Sequence, residues 1–256
     1  MKVVLRWLVA VLALLLLAAA QTARAQEAPK TETVQFPGSN KTTVNGFVAS
    51  PAKPGRYPSI IVIHDWWGLN DFVKQQTEKL AGEGFVALAV DLYGGKVTSD
   101  PAEAHEWSRS LNTDQAVLNL MESIVYLSSR NDVERGRVGV LGWSMGGWYA
   151  LQLAIRVPRL GACVVNYGVL PTDPNDMQNI GAPVLGNFGA DDHGVTPADV
   201  QAFQKAMQTL DRQVDVKIYD GAGHSFEDPD NKTAYRPEAA EDAWKRTIAF
   251  LNKSLR

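Results

Sequence analysis

The 256-residue chain has a single cysteine, Cys163. With no second thiol available, no disulfide can form within the chain, so the fold has to rest on an ordinary hydrophobic core. Basic runs are also missing, and the formal net charge is −3. A mildly acidic chain of this kind is poorly suited to nucleic acid or to anionic membrane surfaces. Beyond the first 25 residues no apolar run is long enough to span a bilayer. Internal repeats and low-complexity stretches are absent after that point, which excludes solenoid and disordered classes.

The one long apolar run is at the N-terminus. Lys2 and Arg6 precede "WLVAVLALLLLAAA", and small residues at Ala23 and Ala25 follow it. That order describes a cleavable secretory signal over residues 1–25, with an uncleaved anchor as the alternative. Cleavage leaves a periplasmic or secreted domain, residues 26–256, without further membrane contact. The removed segment takes Lys2, Arg6 and Arg24 with it and no acid, which leaves a net charge of about −6. Such a length suits one large α/β domain.

Along this domain, short apolar runs alternate with amphipathic ones. Residues 26–33 are polar and read as a loose lead-in. "TVQFP", "TVNGFVAS", "SIIVIHDW", "FVALAVDLY", "RVGVLG", "ACVVNYG", "APVLGNFG" and "VDVKIYD" read as strands. "NDFVKQQTEKLAGEG", "DQAVLNLMESIVYLSSR", "PADVQAFQKAMQTL" and "EDAWKRTIAFLNKSL" read as helices, and a shorter one falls within residues 94–112. This alternation predicts a mostly parallel sheet with helices on both faces. Ligands of such sheets bind beyond the carboxyl ends of the strands. Asp65, Asp91, Ser144, Tyr167, Asp192 and His224 all follow strand-like runs, so one rim could gather them.

"GWSMG" fits G-x-S-x-G, with Gly142, Ser144 and Gly146 between a predicted strand and a predicted helix. A sharp turn there would hold the serine hydroxyl out at a helix N-terminus, where negative charge is favoured. The plainer possibility is a structural turn. A serine nucleophile needs a base, and the histidines are His64, His105, His193 and His224. His105 reads as a surface residue, and His64 precedes Ser144 in the chain. His224, in the glycine-lined loop "DGAGHSF", follows the last predicted strand and fits the order Ser, acid, His. Asp191 and Asp192 in "GADDHGV" are the candidate acids between them. Oxyanion donors are expected from the backbone of Met145 and of Trp66, and Asp65, Trp67 and Trp143 are expected to line the substrate pocket.

"HDWWGLND", "VDLYGG", "GWSMGG", "NYGV", "GADDHGV" and "YDGAGHSF", in this order and spacing, resemble the dienelactone hydrolase family of α/β-hydrolases over nearly the whole mature chain. The resemblance implies an α/β-hydrolase fold. It selects Asp192, three residues before Val195, as the acid, His224 as the base, Asp65 as an acidic residue of the early loop and Trp66 as an oxyanion donor. Two departures stand out. Better-known members carry cysteine where this chain has Ser144, and members that act on dienelactone hold its carboxylate with arginines, one of them just after the "HSF" element. Here Glu227 and Asp228 follow instead, an expectation of repulsion toward carboxylates at the rim.

The expected activity is hydrolysis of a small-molecule carboxylic ester or lactone by Ser144, Asp192 and His224, through an acyl-enzyme and with neither metal nor organic cofactor. Rivals are a peptidase or acyltransferase using the same three residues, and a non-catalytic binding protein on the same fold. A metal site from His64, Asp65 and His193 is a further alternative, with no compact ligand spacing behind it. The oligomeric state is left open.

Overall fold

Alternation along one strand, β3 (Tyr57–Ile63), sets the plan of the molecule. Ile61 and Ile63 enter one hydrophobic core, Ile60 and Val62 enter another, and all four are fully buried. Successive side chains of a strand point to opposite faces, so a strand apolar on both must be covered on both. The structure, a computed structural model, describes residues 27–171 and 173–256. The expected signal segment, residues 1–25, lies outside the described residues.

The other strands are β1 (Lys30–Pro37), β2 (Thr43–Ser50), β4 (Val86–Asp91), β5 (Val133–Trp143), β6 (Ala162–Asn166), β7 (Val184–Gly189) and β8 (Val214–Tyr219). They form one sheet in the order β1-β2-β4-β3-β5-β6-β7-β8. Strand β2 is antiparallel to both its neighbours, and all other pairings are parallel.

Helices α1 (Asp71–Gly82) and α7 (Pro237–Leu255) cover one face with Phe72, Val73, Leu80, Ala243 and Leu251. Helices α3 (Thr113–Ser129), α4 (Met145–Arg156) and α6 (Pro197–Thr209) cover the other with Val117, Leu120, Leu151, Val200 and Phe203. Each large aliphatic side chain so enclosed contributes about 1.5–3 kcal/mol. Helices α2 (Pro101–Ser110) and the short α5 (Pro174–Met177) lie in the connections after β4 and β6. This is the α/β-hydrolase architecture, a mostly parallel sheet flanked on both faces.

Among the boundaries that differ from the sequence expectation, two have a clear physical reason. Residues 30–33, expected as lead-in, belong to β1, because Lys30 to Thr33 pair with Ser50 to Phe47 of β2. An antiparallel partner recruits polar residues that carry no apolar pattern of their own. Helix α7 begins at Pro237 rather than near Glu241. Proline fits the first turn of a helix, where its missing N–H costs nothing.

Candidate active site

The turn that follows β5 is set by two glycines. A Cβ on Gly142 would meet the carbonyl oxygen of Gly146 at 2.1 Å, and one on Gly146 would meet that of Ile63 at 2.3 Å. Only residues without side chains let α4 start so close to β3 and β5. The turn leaves Ser144 at φ 51°, ψ −116°, a conformation that L-residues adopt at a cost of about 1–3 kcal/mol. Its N–H donates to the Asn166 carbonyl at 2.9 Å, which ties the turn to β6. Ser144 occupies the N-cap of α4, yet its side chain makes no capping bond. The hydroxyl is used elsewhere.

It points to His224. Ser144 Oγ lies 2.8 Å from His224 Nε2, and His224 Nδ1 lies 2.7 Å from Asp192 Oδ2. With Nδ1–H donating to the carboxylate, Nε2 carries the lone pair that accepts the serine proton. Asp192 Oδ1 accepts the N–H groups of Gly194 and Val195 at 2.8 and 3.1 Å. Burial would raise this carboxyl, but the hydrogen bond and charge of His224 and the two backbone donors outweigh burial and hold it below the usual range. The side chain of Asp192 is 1% exposed and that of His224 is 41% exposed. Asp191 beside it is exposed, with its N–H donating to the Ala222 carbonyl at 2.8 Å. The structure therefore brings Ser144, His224 and Asp192 together and leaves Asp191 out.

The loop after β3 lies beside the start of α4. His64, fully buried, accepts the Leu92 N–H on Nε2 at 3.0 Å, so its proton sits on Nδ1 and is donated to the Asp65 carbonyl at 2.5 Å. Burial lowers its pKa, against the Asp65 carbonyl and the Asp91 charge. With both ring nitrogens engaged, His64 is a strut between two loops and not a base. Asp65 is buried, and its Oδ1 accepts the Trp67 N–H at 2.8 Å. Burial pushes this carboxyl up to about 7; the Asp228 charge adds to the rise, and the Trp67 N–H and His224 oppose it. The Trp66 and Trp67 rings lean on each other, half-buried, with centroids 4.8 Å apart. Bonds from Thr98 N–H to the Trp67 carbonyl and a bridge between Gly68 and Val97 fasten this loop to the one after β4. From that second loop the Tyr93 hydroxyl reaches Met145 Sδ at 3.3 Å.

Three expectations change. Trp143 does not line the pocket: it is 1% exposed, packs its ring edge on Phe72 and donates Nε1–H to Glu227 Oε2 at 3.0 Å. As the last residue of β5 it faces the side of the sheet that α1 covers with Phe72, and only Ser144, past the strand, emerges. Glu227 is turned inward by that bond, and burial pushes its carboxyl up to about 8. Asp228 is 8% exposed and caps a turn by accepting the Asp230 N–H at 2.9 Å. Neither carboxyl stands free at the rim, so the expected repulsion of carboxylates has no support there. Arg236, the next arginine after them, is spent on the carbonyls of Gly221, Thr233 and Tyr235.

His105 and His193 are exposed. Among the described residues no three His, Cys, Asp or Glu side chains gather in a way that could hold a metal ion. The Trp143–Glu227 bond, the Asn166 carbonyl and the Tyr93–Met145 contact carried no signal in the sequence, because each spans 22 to 84 positions and depends on which strands are neighbours.

Comparison with known proteins follows the same outline. A family model described as "Dienelactone hydrolase family" matches residues 44–255. A Bradyrhizobium sp protein named "Probable 2-oxo-3-(5-oxofuran-2-ylidene)propanoate lactonase" is 34% identical over 227 residues, covering 84% of this chain and 91% of that protein. "Protein usf" of Aquifex pyrophilus is 31% identical over 223 residues, covering 84% and 96%. A crystal structure of a dienelactone hydrolase-like promiscuous phosphotriesterase from metagenomic libraries superimposes with a TM-score of 0.81 at 26% identity, over 90% of this chain and all of that one.

Proposed function

The chain belongs to the dienelactone hydrolase family and is a hydrolase acting on ester bonds, and from that premise we propose an exported serine hydrolase that cleaves carboxylic esters or lactones through Ser144, His224 and Asp192. The observation that carries this reading is the unbroken line of two hydrogen bonds, 2.8 Å from Ser144 Oγ to His224 Nε2 and 2.7 Å from His224 Nδ1 to Asp192 Oδ2.

As Ser144 Oγ forms its bond to the carbonyl carbon, its proton passes to His224 Nε2, and Asp192 stabilises the resulting imidazolium. The carbonyl oxygen, now negative, is held by the N–H groups of Met145 and Trp66. Neither donates to a protein acceptor among the described residues, and each such donor is worth about 3–4 kcal/mol in transition states of this type. The ester C–O bond then breaks, and the departing alkoxide takes the proton from Nε2. Water gives its proton to His224 and attacks the acyl carbon, the acid leaves, and the proton returns to Ser144. In a lactone the freed alcohol stays tethered to the acyl group throughout, and the product is a single hydroxy acid.

Serine in place of the family's better-known cysteine suits an exported enzyme, since a reactive thiolate is open to oxidation outside the cytosol. The signal at residues 1–25 supports export, with residues 26–256 as the mature periplasmic or secreted domain. Labelling with a fluorophosphonate probe tests the nucleophile. The wild-type enzyme should be labelled stoichiometrically on the peptide containing Ser144, and Ser144→Ala should stay folded and unlabelled. Labelling on another residue would overturn the assignment.

A further inference from the structure

Glu227 is a half-buried titratable group that this reaction does not use. It lies three residues after His224, in the segment that carries the base. Its Oε2 accepts Nε1–H of Trp143 at 3.0 Å, and Trp143 is the residue immediately before Ser144. The amide group of Asn166 comes within 3.3 Å of the same carboxyl, and the Asn166 carbonyl is the acceptor for the Ser144 N–H. The carboxyl thus meets both strands whose ends define the turn, and it does so from the loop that presents the imidazole.

Building on the proposed triad, we infer that Glu227 is a positioning residue that braces the His224 loop against the Ser144 turn through the Trp143 indole. The Ser144–His224 contact cannot set its own length. It is a bond between an exposed imidazole and a hydroxyl on a strained turn, and it must break and reform in each cycle. Asp192 anchors His224 from the β7 side only. After His224 the chain passes through Ser225 at φ 62° and buries Phe226 completely, so that segment has little freedom once Glu227 is also fixed. Hydrophobic burial of Phe226 is non-directional; the indole–carboxyl bond supplies direction. Desolvation pushes the carboxyl's pKa up, which disfavours a full negative charge in the brace.

A double-mutant cycle on Glu227 and Trp143 tests this inference, with steady-state kinetics on one ester, fluorophosphonate labelling rates and melting temperatures for each variant. Glu227→Ala and Trp143→Phe each remove the bond, and Phe keeps most of the ring packing. A brace predicts that each lowers kcat and the labelling rate about 10- to 100-fold with KM within about twofold. The double variant should be no worse than either single one. Glu227→Gln keeps an acceptor oxygen and should recover activity to within about threefold of wild type. Singly altered enzymes that melt lower but turn over and label at wild-type rates would overturn the brace, as would fully additive losses or a Gln variant as slow as Ala. Failure of wild type to label at Ser144 would instead count against the triad itself.

Discussion

Asp192 Oδ2 lies 2.7 Å from His224 Nδ1, while the adjacent Asp191 is exposed to solvent. The two neighbours divide because the Asp191 N–H is pinned to the Ala222 carbonyl, which leaves Asp192 as the side chain turned under the imidazole. Asp192→Asn should leave the fold intact and lower kcat by about three to four orders of magnitude, since an amide favours the wrong imidazole tautomer. Asp191→Asn should change kcat less than about threefold, being a surface substitution away from the reacting atoms. Kinetics of both variants on one ester check this; the reverse ranking would mean that the geometry at rest misidentifies the working acid.

Gly146→Ala should destabilise the protein far more than an ordinary helix substitution, although alanine is the better helix former. The new Cβ would sit 2.3 Å from the Ile63 carbonyl oxygen and 2.5 Å from that of His64, both backbone atoms that cannot swing aside. The expected loss is about 3 kcal/mol or more, read as a fall in Tm of roughly 10 °C. Unchanged thermal unfolding would show that α4 can move off β3 freely.

Much of this was legible in the sequence because it depends on local pattern. The G-x-S-x-G stretch with its strand and helix flanks, the two aspartates, and the histidine loop all repeat local rules of turn geometry and apolar periodicity. What was not legible depends on neighbours distant in the chain. Trp143 looks like a pocket residue beside Ser144, but strand alternation and the Phe72 contact bury it. Glu227 and Asp228 look like surface charges, and one is bonded to an indole 84 residues away while the other caps its own turn. His64 looks like a spare base, and its two hydrogen bonds make it a strut.

Asp65 and Glu227 should each contribute stability that falls as pH rises from about 4 to 8. Burial pushes Asp65 up to about 7 and Glu227 up to about 8, whereas both would ionise near pH 4 in the unfolded chain. A carboxyl raised in the folded state contributes its stability fully below the unfolded pKa and loses it as pH climbs through the folded one. The decline therefore spans roughly pH 4 to 8 and levels off above. Asp65→Asn and Glu227→Gln should each flatten it, seen as a smaller difference between denaturant midpoints at pH 5 and pH 9. A midpoint that rises over this range in the wild type and is unchanged in both variants would contradict the assignment.

The mature protein recovered from a secreting host should begin at Gln26, as read by intact mass. Full-length chain retained in the membrane fraction would favour the anchor.

Trapping an acyl group on Ser144 is the most direct measurement of the proposed reaction. A slowly deacylating nitrophenyl ester mixed with excess enzyme and quenched in acid within milliseconds should release a burst of nitrophenol equal to the enzyme sites. Peptide mass analysis of the same sample should find the acyl group on Ser144. Ser144→Ala should give neither burst nor adduct. Turnover by Ser144→Ala at a rate near wild type, or full wild-type turnover with neither a burst nor an adduct at Ser144, would contradict the account.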